Sequence, residues 1–298
     1  MDNELLEFDR VNVIKDTINK YGEDNFYLSF SGGKDSTIVH YLLDMALPNN
    51  QIPRVFIDTG IEYNLIRDFV LKMAKNDKRF VIIKPTQPVI PMLQKYGYPF
   101  KSKQHSHNLM VYQHSGIGLS VKRYLGIIES NTKFRCPKML EYQFSEDFKI
   151  KCSDNCCLKM KKEPIHKWEK GVGRFVAITG MRNSEGGERA SIKGCALLDD
   201  KGNIKKFHPL IKVNDEWEEW FIKQHNIKLC DLYYEPYNFK RTGCKGCPFS
   251  LDLQEQLEIM ERYLPNERKQ CEFIWKPIYE EYRRLNYRLK NVEEIKLL

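Results

Sequence analysis

The sequence contains no apolar run long enough to cross a membrane as a helix. Its acidic start, Met1-Asp2-Asn3-Glu4, lacks the pattern of a signal peptide, so we expect a cytoplasmic protein with no membrane partner. No internal repeat, arginine-rich tail or Gly/Ser- or Pro-rich linker is present, which argues against repeat arrays and disordered basic arms. The 298 residues are enough for one large or two modest domains with a real core.

The balance of charge is mildly basic. The sequence has 48 basic and 40 acidic residues, a net charge of +8. Such an excess suits a polyanionic ligand, either a nucleotide or a nucleic acid, although a solvated surface explains it more simply. Composition therefore keeps nucleic acid as a candidate partner without selecting it.

The nine cysteines all lie at or beyond Cys136. In a chain without a secretion signal, such clustering favours a metal or redox site over disulfides. Cys156 and Cys157 are adjacent, and the pair Cys244-Lys245-Gly246-Cys247 follows after 86 residues, 158–243. A C-x-x-C turn aims two thiolates at one metal, whereas adjacent cysteines suit a larger cluster that spreads its irons apart. A four-cysteine zinc site that recruits Cys152, or free buried thiols, are the alternatives.

The most informative segment is Ser31-Gly32-Gly33-Lys34-Asp35-Ser36. It lies between an aromatic, apolar segment, 25–30, that we predict to be a buried strand, and a helical pattern over 37–47. Two glycines let the backbone approach a phosphate, and the N–H groups and dipole of a helix N-terminus favour negative charge. The spacing is not that of the Walker loop, and no Gly-x-Gly-x-x-Gly follows a strand.

Further strands and helices alternate along the first two thirds of the chain. The pattern predicts strands over 54–58, 79–84 and 175–179 and a helix over 63–75. Such alternation predicts an α/β fold, a parallel sheet with helices on both faces. Ligands of such sheets bind beyond the carboxyl ends of the strands. We therefore expect Asp58-Thr59-Gly60 and Thr179-Gly180-Met181-Arg182 to converge with the glycine motif on one cleft.

The remainder divides into an irregular and a helical part. Residues 91–148 are hard to assign, and 101–105 form a basic loop, either a substrate lid or a plain solvated loop. After Pro209 the pattern predicts helices over 215–225, 251–263 and 266–289, with Trp217 and Phe221 in the core. We therefore expect a nucleotide-binding domain over 1–210 and a helical region over 211–298 that supplies the C-x-x-C pair.

The glycine motif resembles the Ser-Gly-Gly-x-Asp-Ser signature of the ATP pyrophosphatases, or adenine nucleotide alpha hydrolases, which cleave ATP between the α and β phosphates. The Cys-Cys…C-x-x-C pattern, with Lys161 and Pro164 after it, resembles the [4Fe-4S] signature of bacterial and plant adenosine-5′-phosphosulfate reductases. Pro209-Leu210 and Trp217 are similar to that family as well. From about 25 to 250 the chain resembles the phosphoadenosine phosphosulfate reductase family of this superfamily.

The resemblance implies an adenine nucleotide, ATP with Mg²⁺, as substrate, and a [4Fe-4S] cluster as cofactor. In the predicted site, Lys34 and Asp35 act on the phosphates and Mg²⁺, and two arginines bind an anionic acceptor or sulfur donor. The predicted site residues are Lys34, Asp35, Arg182 and Arg189 for catalysis; Ser31, Gly32, Gly33, Lys34, Asp35, Ser36, Asp58, Thr59, Gly60, Thr179 and Gly180 for the nucleotide; Cys156, Cys157, Cys244 and Cys247 for the cluster; and Lys161 beside it. Cys195, Cys230 and Cys271 are predicted core residues.

Two departures from the family shape the functional prediction. Sulfonucleotide reductases attack with a cysteine in a C-terminal Glu-Cys-Gly-x-His motif, and this chain ends 292–298 without one. Its phosphate loop, by contrast, is the intact, lysine-containing form. We therefore expect an ATP pyrophosphatase that adenylates an acceptor, linked to sulfur transfer. A reductase using another thiol such as Cys136 with thioredoxin, and a non-catalytic nucleotide sensor or nucleic-acid-modification partner, are the alternatives.

Overall fold

The computed structural model describes residues 2–129 and 135–290, apart from the side chains of Gly187 and Glu188. The 292–298 segment, on which the missing-nucleophile prediction rests, lies outside the described residues. The chain forms two compact units. The sheet unit consists of Met1–Asp58, Glu62–Lys84 and Ile165–Gly243, and the helical unit of Thr59–Ile61, Pro85–Pro164 and Cys244–Leu298. The predicted domain boundary after residue 210 stays a prediction.

A six-stranded sheet forms the centre of the sheet unit, in the order β3-β2-β1-β4-β6-β5. The strands are β1 (Phe26–Ser29), β2 (Arg54–Ile57), β3 (Phe80–Ile83), β4 (Val176–Ile178), β5 (Ala196–Leu198) and β6 (Ile204–Phe207). Strands β1 to β4 and β6 pair in parallel, with Leu28 beside Arg54 and Phe26 beside Val176. The α/β prediction is confirmed.

The edge of the sheet was not predicted. Strand β5 runs antiparallel to β6, so the sheet is mostly rather than wholly parallel. Both strands are three to four residues long. In β6 only the terminal Ile204 and Phe207 are buried, and two exposed lysines separate them. This is too short and too polar a segment for hydrophobic periodicity to detect.

Most of the remaining regular structure in the described chain is α-helical. They are α1 (Asn3–Tyr21), α2 (Lys34–Ala46), α3 (Asn64–Asn76), α4 (Val89–Tyr96), α5 (Lys103–Ser115), α6 (Leu119–Leu125), α7 (Asn155–Cys157), α8 (Glu163–Val172), α9 (Asp215–Gln224), α10 (Leu253–Tyr263), α11 (Pro265–Ile274) and α12 (Lys276–Arg284). A π-helical turn, Leu158–Lys162, joins α7 to α8. Within the described ranges, no helix combines the length and the apolar character that a membrane span requires.

The structure differs from the helical predictions in three places. Helix α1 was not predicted. The basic loop at 101–105 is partly helical, since α5 begins at Lys103 and the Ser102 hydroxyl caps it by accepting from the His105 N–H at 3.2 Å. The predicted helix over 266–289 is two helices that meet at Trp275. Pro277 has no N–H to donate, so the helix cannot continue through it unbroken.

Buried side chains explain how the sheet unit is built. Every residue of β1 except Ser29 is buried, and α2 buries Ile38, Val39, Leu42 and Leu43. Trp217 and Phe221 of α9 are buried as predicted and stack with ring centroids 4.8 Å apart. Burial of each such side chain contributes about 1.5–3 kcal/mol. The rigid β1–α2 pair is therefore the element that fixes the glycine motif in place.

We predict that Gly32→Ala destabilises the protein. Gly32 has a φ of +73°, and a Cβ there would lie 2.9 Å from Val70 Cγ2 and 3.0 Å from Ile66 Cγ2. The expected loss is about 1–3 kcal/mol in the free energy of unfolding, measured by urea denaturation. Gly171→Ala in α8 is the control, because a Cβ there meets nothing within 4 Å. An equal effect of the two substitutions would contradict the prediction.

Candidate functional site

The glycine motif forms a turn between β1 and the start of α2, as predicted. The serine hydroxyls serve this turn: Ser36 Oγ donates to the Gly33 carbonyl at 2.9 Å and lies 3.1 Å from Ser31 Oγ. Thr37 Oγ1 donates to the same carbonyl at 3.0 Å. These bonds orient the Gly33 carbonyl toward the helix, so the adjacent N–H groups point outward, as an anion site requires.

The N–H groups at the start of α2 are only partly engaged within the protein. The Lys34 N–H donates to the Tyr233 hydroxyl at 2.9 Å, and the Gly33 N–H lies 3.3 Å from Ser31 Oγ. Among the described residues, the N–H groups of Asp35 and Ser36 have no hydrogen-bond partner. The predicted phosphate cradle thus has two available N–H donors, those of Asp35 and Ser36. The third, the Lys34 N–H, donates to a hydroxyl whose place a phosphate oxygen would take.

Two hydroxyl groups beside the turn were not predicted. Tyr233 OH lies 2.8 Å from Thr242 Oγ1, and a Cβ on Gly33 would lie 3.2 Å and 3.1 Å from these two oxygens. Gly33 therefore leaves room for them against the backbone. Nothing in the sequence marks Tyr233 and Thr242, because both lie in an irregular segment far along the chain.

The turn opens on a cleft of about 850 Å³ that lies entirely within the sheet unit. The cleft is lined by Ser31, Gly33, Lys34, Asp35, Arg182, Ser184, Glu185, Asp215, Glu219, Ile222, Lys223, Leu229, Tyr233, Tyr234, Asn238, Phe239, Lys240, Arg241 and Thr242. The glycine motif and Arg182, which follows β4, thus meet in one cleft. Asp58 is not among the lining residues, and its carboxylate accepts from Arg67 Nε at 3.0 Å. Thr59 and Gly60 belong to the helical unit.

Gly180 brings β4 close to the phosphate turn. A Cβ on Gly180 would lie 2.6 Å from Asp35 Cβ and 2.8 Å from the Asp35 carbonyl carbon. Only glycine lets the chain after β4 pass the start of α2 at this distance. The neighbouring Thr179 is used within the protein, since its N–H donates to the Phe207 carbonyl and its hydroxyl lies 2.7 Å from His208 Nδ1. Its predicted contact with the nucleotide stays a prediction.

Five ionisable side chains form a cluster beside the turn, and all of them except the buried Glu218 line the cleft. Lys34 Nζ lies 3.0 Å from Glu218 Oε2 and 4.0 Å from Asp215 Oδ1. Arg182 Nε lies 2.8 Å from Asp35 Oδ1 and 3.2 Å from Glu218 Oε1, and Arg182 Nη1 lies 2.7 Å from Asp215 Oδ1. Both predicted cations are thus paired with acids in the protein without ligand.

The cluster has one acid more than it has cations, and Glu218 is the acid that carries the imbalance. Its side chain is 0% exposed, whereas that of Asp215 is 69% exposed and binds Arg182. Burial, the charge of Asp35 and a hydrogen bond with it together raise the pKa of Glu218 to about 8, although the charges of Lys34 and Arg182 oppose the rise. The Arg182 guanidinium lowers the pKa of Asp215. At neutral pH a proton on Glu218 therefore balances the cluster.

The sequence did not indicate Glu218, because an acidic residue in an amphipathic helix is usually assigned to the solvent-exposed face. Its neighbours Trp217 and Phe221 lie on the buried side of α9, and position 218 is also buried. The second predicted arginine, Arg189, is paired with Glu185, which also binds Arg241. Sequence reasoning missed Glu185 and Arg241 as well.

The four predicted ligand cysteines all belong to the helical unit, although 86 residues separate the two pairs. Burial raises the pKa of Cys156, and the charges of Cys244, Cys157 and Cys247 raise it further. The pKa of Cys247 rises for the same reasons, through Cys244 and Cys157. The four thiols thus lie within electrostatic range of one another.

The surroundings of the thiols include one basic side chain. The positive charge of Lys161 opposes the rise in the pKa of Cys156 and Cys247, and its predicted role beside a cluster stays a prediction. Among the described residues, no three His, Cys, Asp or Glu side chains are arranged to hold a metal ion. The predicted metal site is therefore not confirmed.

The C-x-x-C turn is held by donors from the last helices of the helical unit. Trp275 Nε1 donates to the Lys245 carbonyl at 3.1 Å, Tyr279 OH donates to the Gly246 carbonyl, and Tyr282 OH donates to the Pro248 carbonyl at 2.9 Å. The Lys245 N–H donates to the Ile61 carbonyl at 2.7 Å, and its buried ammonium group donates to Gln270 Oε1 at 2.6 Å. This turn is fixed before any ligand binds. In the sequence, Trp275, Tyr279 and Tyr282 have the spacing of ordinary core residues, so the pattern did not indicate that they hold this turn.

The other cysteines have structural roles. Cys230 and Cys271 are buried as predicted, whereas Cys195 is half-buried, with Arg10 Nη1 3.1 Å from its sulfur. Burial and the charge of Glu141 raise the pKa of Cys136 to about 12. A reactive nucleophile needs a depressed pKa, so the environment of Cys136 is opposite to that of a catalytic thiol.

The fold and the cleft define an α/β protein with a glycine turn, whose N–H groups are partly available, at the carboxyl edge of a mostly parallel sheet. Residues 25–114 and 120–250 match the model of the phosphoadenosine phosphosulfate reductase domain. Because this match covers most of the chain, the protein belongs to that family. A relative in Methanocaldococcus jannaschii, the uncharacterized protein MJ0973, is 24% identical over 267 residues, 87% of this chain and 50% of the relative. The chain thus spans about half the length of this relative.

Solved structures show a distant likeness. The phosphoadenylyl-sulfate reductase of Candida auris, in its phosphate complex, is 14% identical with a TM-score of 0.44, over 78% of this chain and 93% of that one. The NH3-dependent NAD synthetase of Campylobacter jejuni, in complex with nitrate, is 13% identical with a TM-score of 0.41, over 93% and 95%. At TM-scores below 0.5 these likenesses carry no argument about activity.

We predict that Glu218→Gln changes the pH dependence of stability. The raised pKa means that the folded state holds a proton between about pH 5 and 8 that the unfolded state has lost, so stability falls as the pH rises through this range. Glu218→Gln has no ionisable group at this position. Over this pH range its free energy of unfolding should therefore fall by about 1–3 kcal/mol less than that of the native protein.

The measurement is urea denaturation of both proteins at pH 5, 6, 7 and 8. Glu219→Gln is the matched control, because Glu219 is the next residue and is exposed. Parallel curves for the native protein and Glu218→Gln would contradict the assignment of the proton to Glu218.

Proposed function

We propose that the protein binds ATP with Mg²⁺ in the cleft of the sheet unit and cleaves the bond between the α and β phosphates. The acceptor oxygen would attack the α phosphorus, the bond to the bridging oxygen would break, and pyrophosphate would leave with its electron pair. The products are an adenylated acceptor and pyrophosphate. The turn between β1 and α2, with available N–H groups at Asp35 and Ser36 and Lys34 beside them, carries this proposal.

The charge cluster supports the same reaction. In the protein without ligand, Lys34 and Arg182 are held by Asp35, Asp215 and Glu218. A triphosphate competes for these cations, and donors fixed in a cleft stabilise charge that develops on the leaving pyrophosphate. Lys34 is placed to move from Glu218 to a β or γ phosphate oxygen, since its ammonium group is on a flexible stem.

The donor set of the cleft suits Mg²⁺. Carboxylate oxygens are ligands that Mg²⁺ prefers, and it binds proteins through one or two carboxylates together with substrate phosphates. Asp35 and the exposed Asp215 supply such oxygens beside the turn. Mg²⁺ bound there would neutralise phosphate charge. Contacts of adenosine with Asp58, Thr59, Gly60, Thr179 and Gly180, and of the acceptor with Arg182 and Arg189, remain part of the proposal.

The acceptor is an anionic group or a nucleic-acid base, and a sulfur nucleophile would displace AMP from the adenylated intermediate. We favour this activity over sulfonucleotide reduction. Reduction needs a nucleophilic thiolate, and the raised pKa of Cys136 keeps that thiol protonated at neutral pH.

We also propose that Cys156, Cys157, Cys244 and Cys247 hold a [4Fe-4S] cluster. Two observations support it: the thiols interact electrostatically across 86 residues of sequence, and the C-x-x-C turn is fixed by three aromatic donors. Four crowded thiolates repel one another, and bound iron relieves that repulsion. With four thiolate ligands the cluster has no open iron position, which favours a structural or electrostatic role.

We predict that Lys34→Ala removes the release of AMP and pyrophosphate from ATP. The loss of the ammonium group removes a charge-assisted contact to the phosphates, and we expect at least a hundredfold fall in kcat/KM. Pyrophosphate release is measured with a panel of candidate acceptors that includes tRNA. Lys228→Ala is the control, because Lys228 is exposed and does not line the cleft. Undiminished release by Lys34→Ala would count against the proposal.

We predict that protein purified without oxygen is brown, with broad absorption near about 400 nm and about four irons per chain. Cys156→Ala and Cys244→Ala should each lose colour and iron, whereas Cys195→Ala, in the sheet unit, should keep both. Iron and acid-labile sulfide analysis measures this directly. A colourless protein with one zinc ion per chain would overturn the cluster.

A further inference from the structure

The basic segment 101–105, which the proposed function does not use, belongs to the helical unit together with Cys136 and Arg288. The Lys101 N–H donates to the Tyr282 hydroxyl at 2.7 Å, and that hydroxyl donates to the Pro248 carbonyl at 2.9 Å. Arg288 Nη1 donates to the same carbonyl at 2.6 Å. One hydroxyl and one carbonyl thus connect Lys101 to Arg288.

These two cations are held close although they repel each other. Both are half-buried, and the charge of Arg288 adds to burial in lowering the pKa of Lys101. Burial lowers the pKa of His105, and the charges of Lys101 and Arg288 lower it further, in agreement with the contacts that both residues make through Tyr282 and Pro248. Each residue has a positive φ, +58° for Lys101 and +60° for Arg288, which is unfavourable for a side chain with a Cβ.

No acid balances this pair within the described ranges. Neither Lys101 nor Arg288 forms an ion pair there. The group that raises the pKa of Lys101 is Cys136, which is a neutral thiol at neutral pH, and Glu141 acts on Cys136 rather than on Lys101. The remaining polar groups are neutral: His105 Nδ1 lies 2.9 Å from Tyr124 OH, and His105 Nε2 lies 2.8 Å from Gln143 Oε1.

Two half-buried cations without a counter-charge favour binding of an anion. Among the described residues, Arg288 donates through Nη1 and its guanidinium lies 5.7 Å from the Tyr287 ring centroid, so it keeps donors for a bidentate contact, and Lys101 adds a point charge. A group with two negative charges balances the pair. Tetrahedral oxyanions, sulfate and phosphate, have both this charge and several acceptor oxygens.

We propose that Lys101 and Arg288 form a binding site for a tetrahedral oxyanion, the sulfate or phosphate group of a ligand, in the helical unit. The site is distinct from the phosphate turn, whose residues all lie in the sheet unit. It also gives a role to the basic segment that sequence alone left undecided between a substrate loop and a solvated loop.

The test is isothermal titration calorimetry on the full chain carrying Lys34→Ala, so that the phosphate turn does not contribute. Sodium sulfate, sodium phosphate and AMP are titrated separately at constant ionic strength. We expect saturable binding of at least one of them, and about tenfold weaker binding when Lys101→Gln is added, since one charge-assisted contact is lost. Lys103→Gln is the matched control, because Lys103 is exposed on the same segment.

The three titrants separate the sources of the oxyanion. Preference for sulfate indicates an inorganic sulfur oxyanion, and preference for phosphate or AMP indicates a phosphate ester; each supports the site. Arg288→Gln is a second variant, checked for folding by circular dichroism because Arg288 also binds the Pro248 carbonyl. Equal affinities with and without Lys101→Gln, or no saturable binding of any titrant, would overturn the proposal whether or not ATP is cleaved elsewhere.

Discussion

The charge cluster beside the glycine turn has more acids than cations. Lys34 and Arg182 are shared among Asp35, Asp215 and Glu218, and the most deeply buried of these acids keeps a proton at neutral pH. This arrangement holds the two cations in defined positions before a nucleotide arrives. An incoming triphosphate competes with these carboxylates for the two cations.

The helical unit has two places where charge is unbalanced: the four cysteines, once they ionise, and a pair of cations. Around the C-x-x-C turn, four thiols crowd together beside one lysine, Lys161. At Lys101 and Arg288, two cations share a region without an acid among the described residues. Uncompensated charge in a partly buried setting costs free energy unless a ligand balances it. Both places therefore indicate where a ligand would bind, which a surface with fully paired charges does not.

The sequence predicted the structure best where the residue types of the candidate site are also those that the backbone geometry requires. The strand, the glycine turn and the start of α2 follow from local pattern, because positive φ and close backbone approach admit few residues other than glycine. Glu218, Tyr233 and Thr242 could not be found this way, since each reaches the cleft only through tertiary packing. The edge strand β5 and the break at Trp275 were missed for different reasons: one segment is too short for periodicity, and the other continues a helical pattern past Pro277.

The close approach of Gly180 to Asp35 has a mechanical consequence. Because no side chain fits between them, the end of β4 and the first turn of α2 cannot slide independently. A displacement of α2 by a few tenths of an ångström would press on the Gly180 backbone and shift Arg182, two residues further on. Occupancy of the turn would thus be transmitted directly to the guanidinium group that binds Asp35, without any moving domain or hinge.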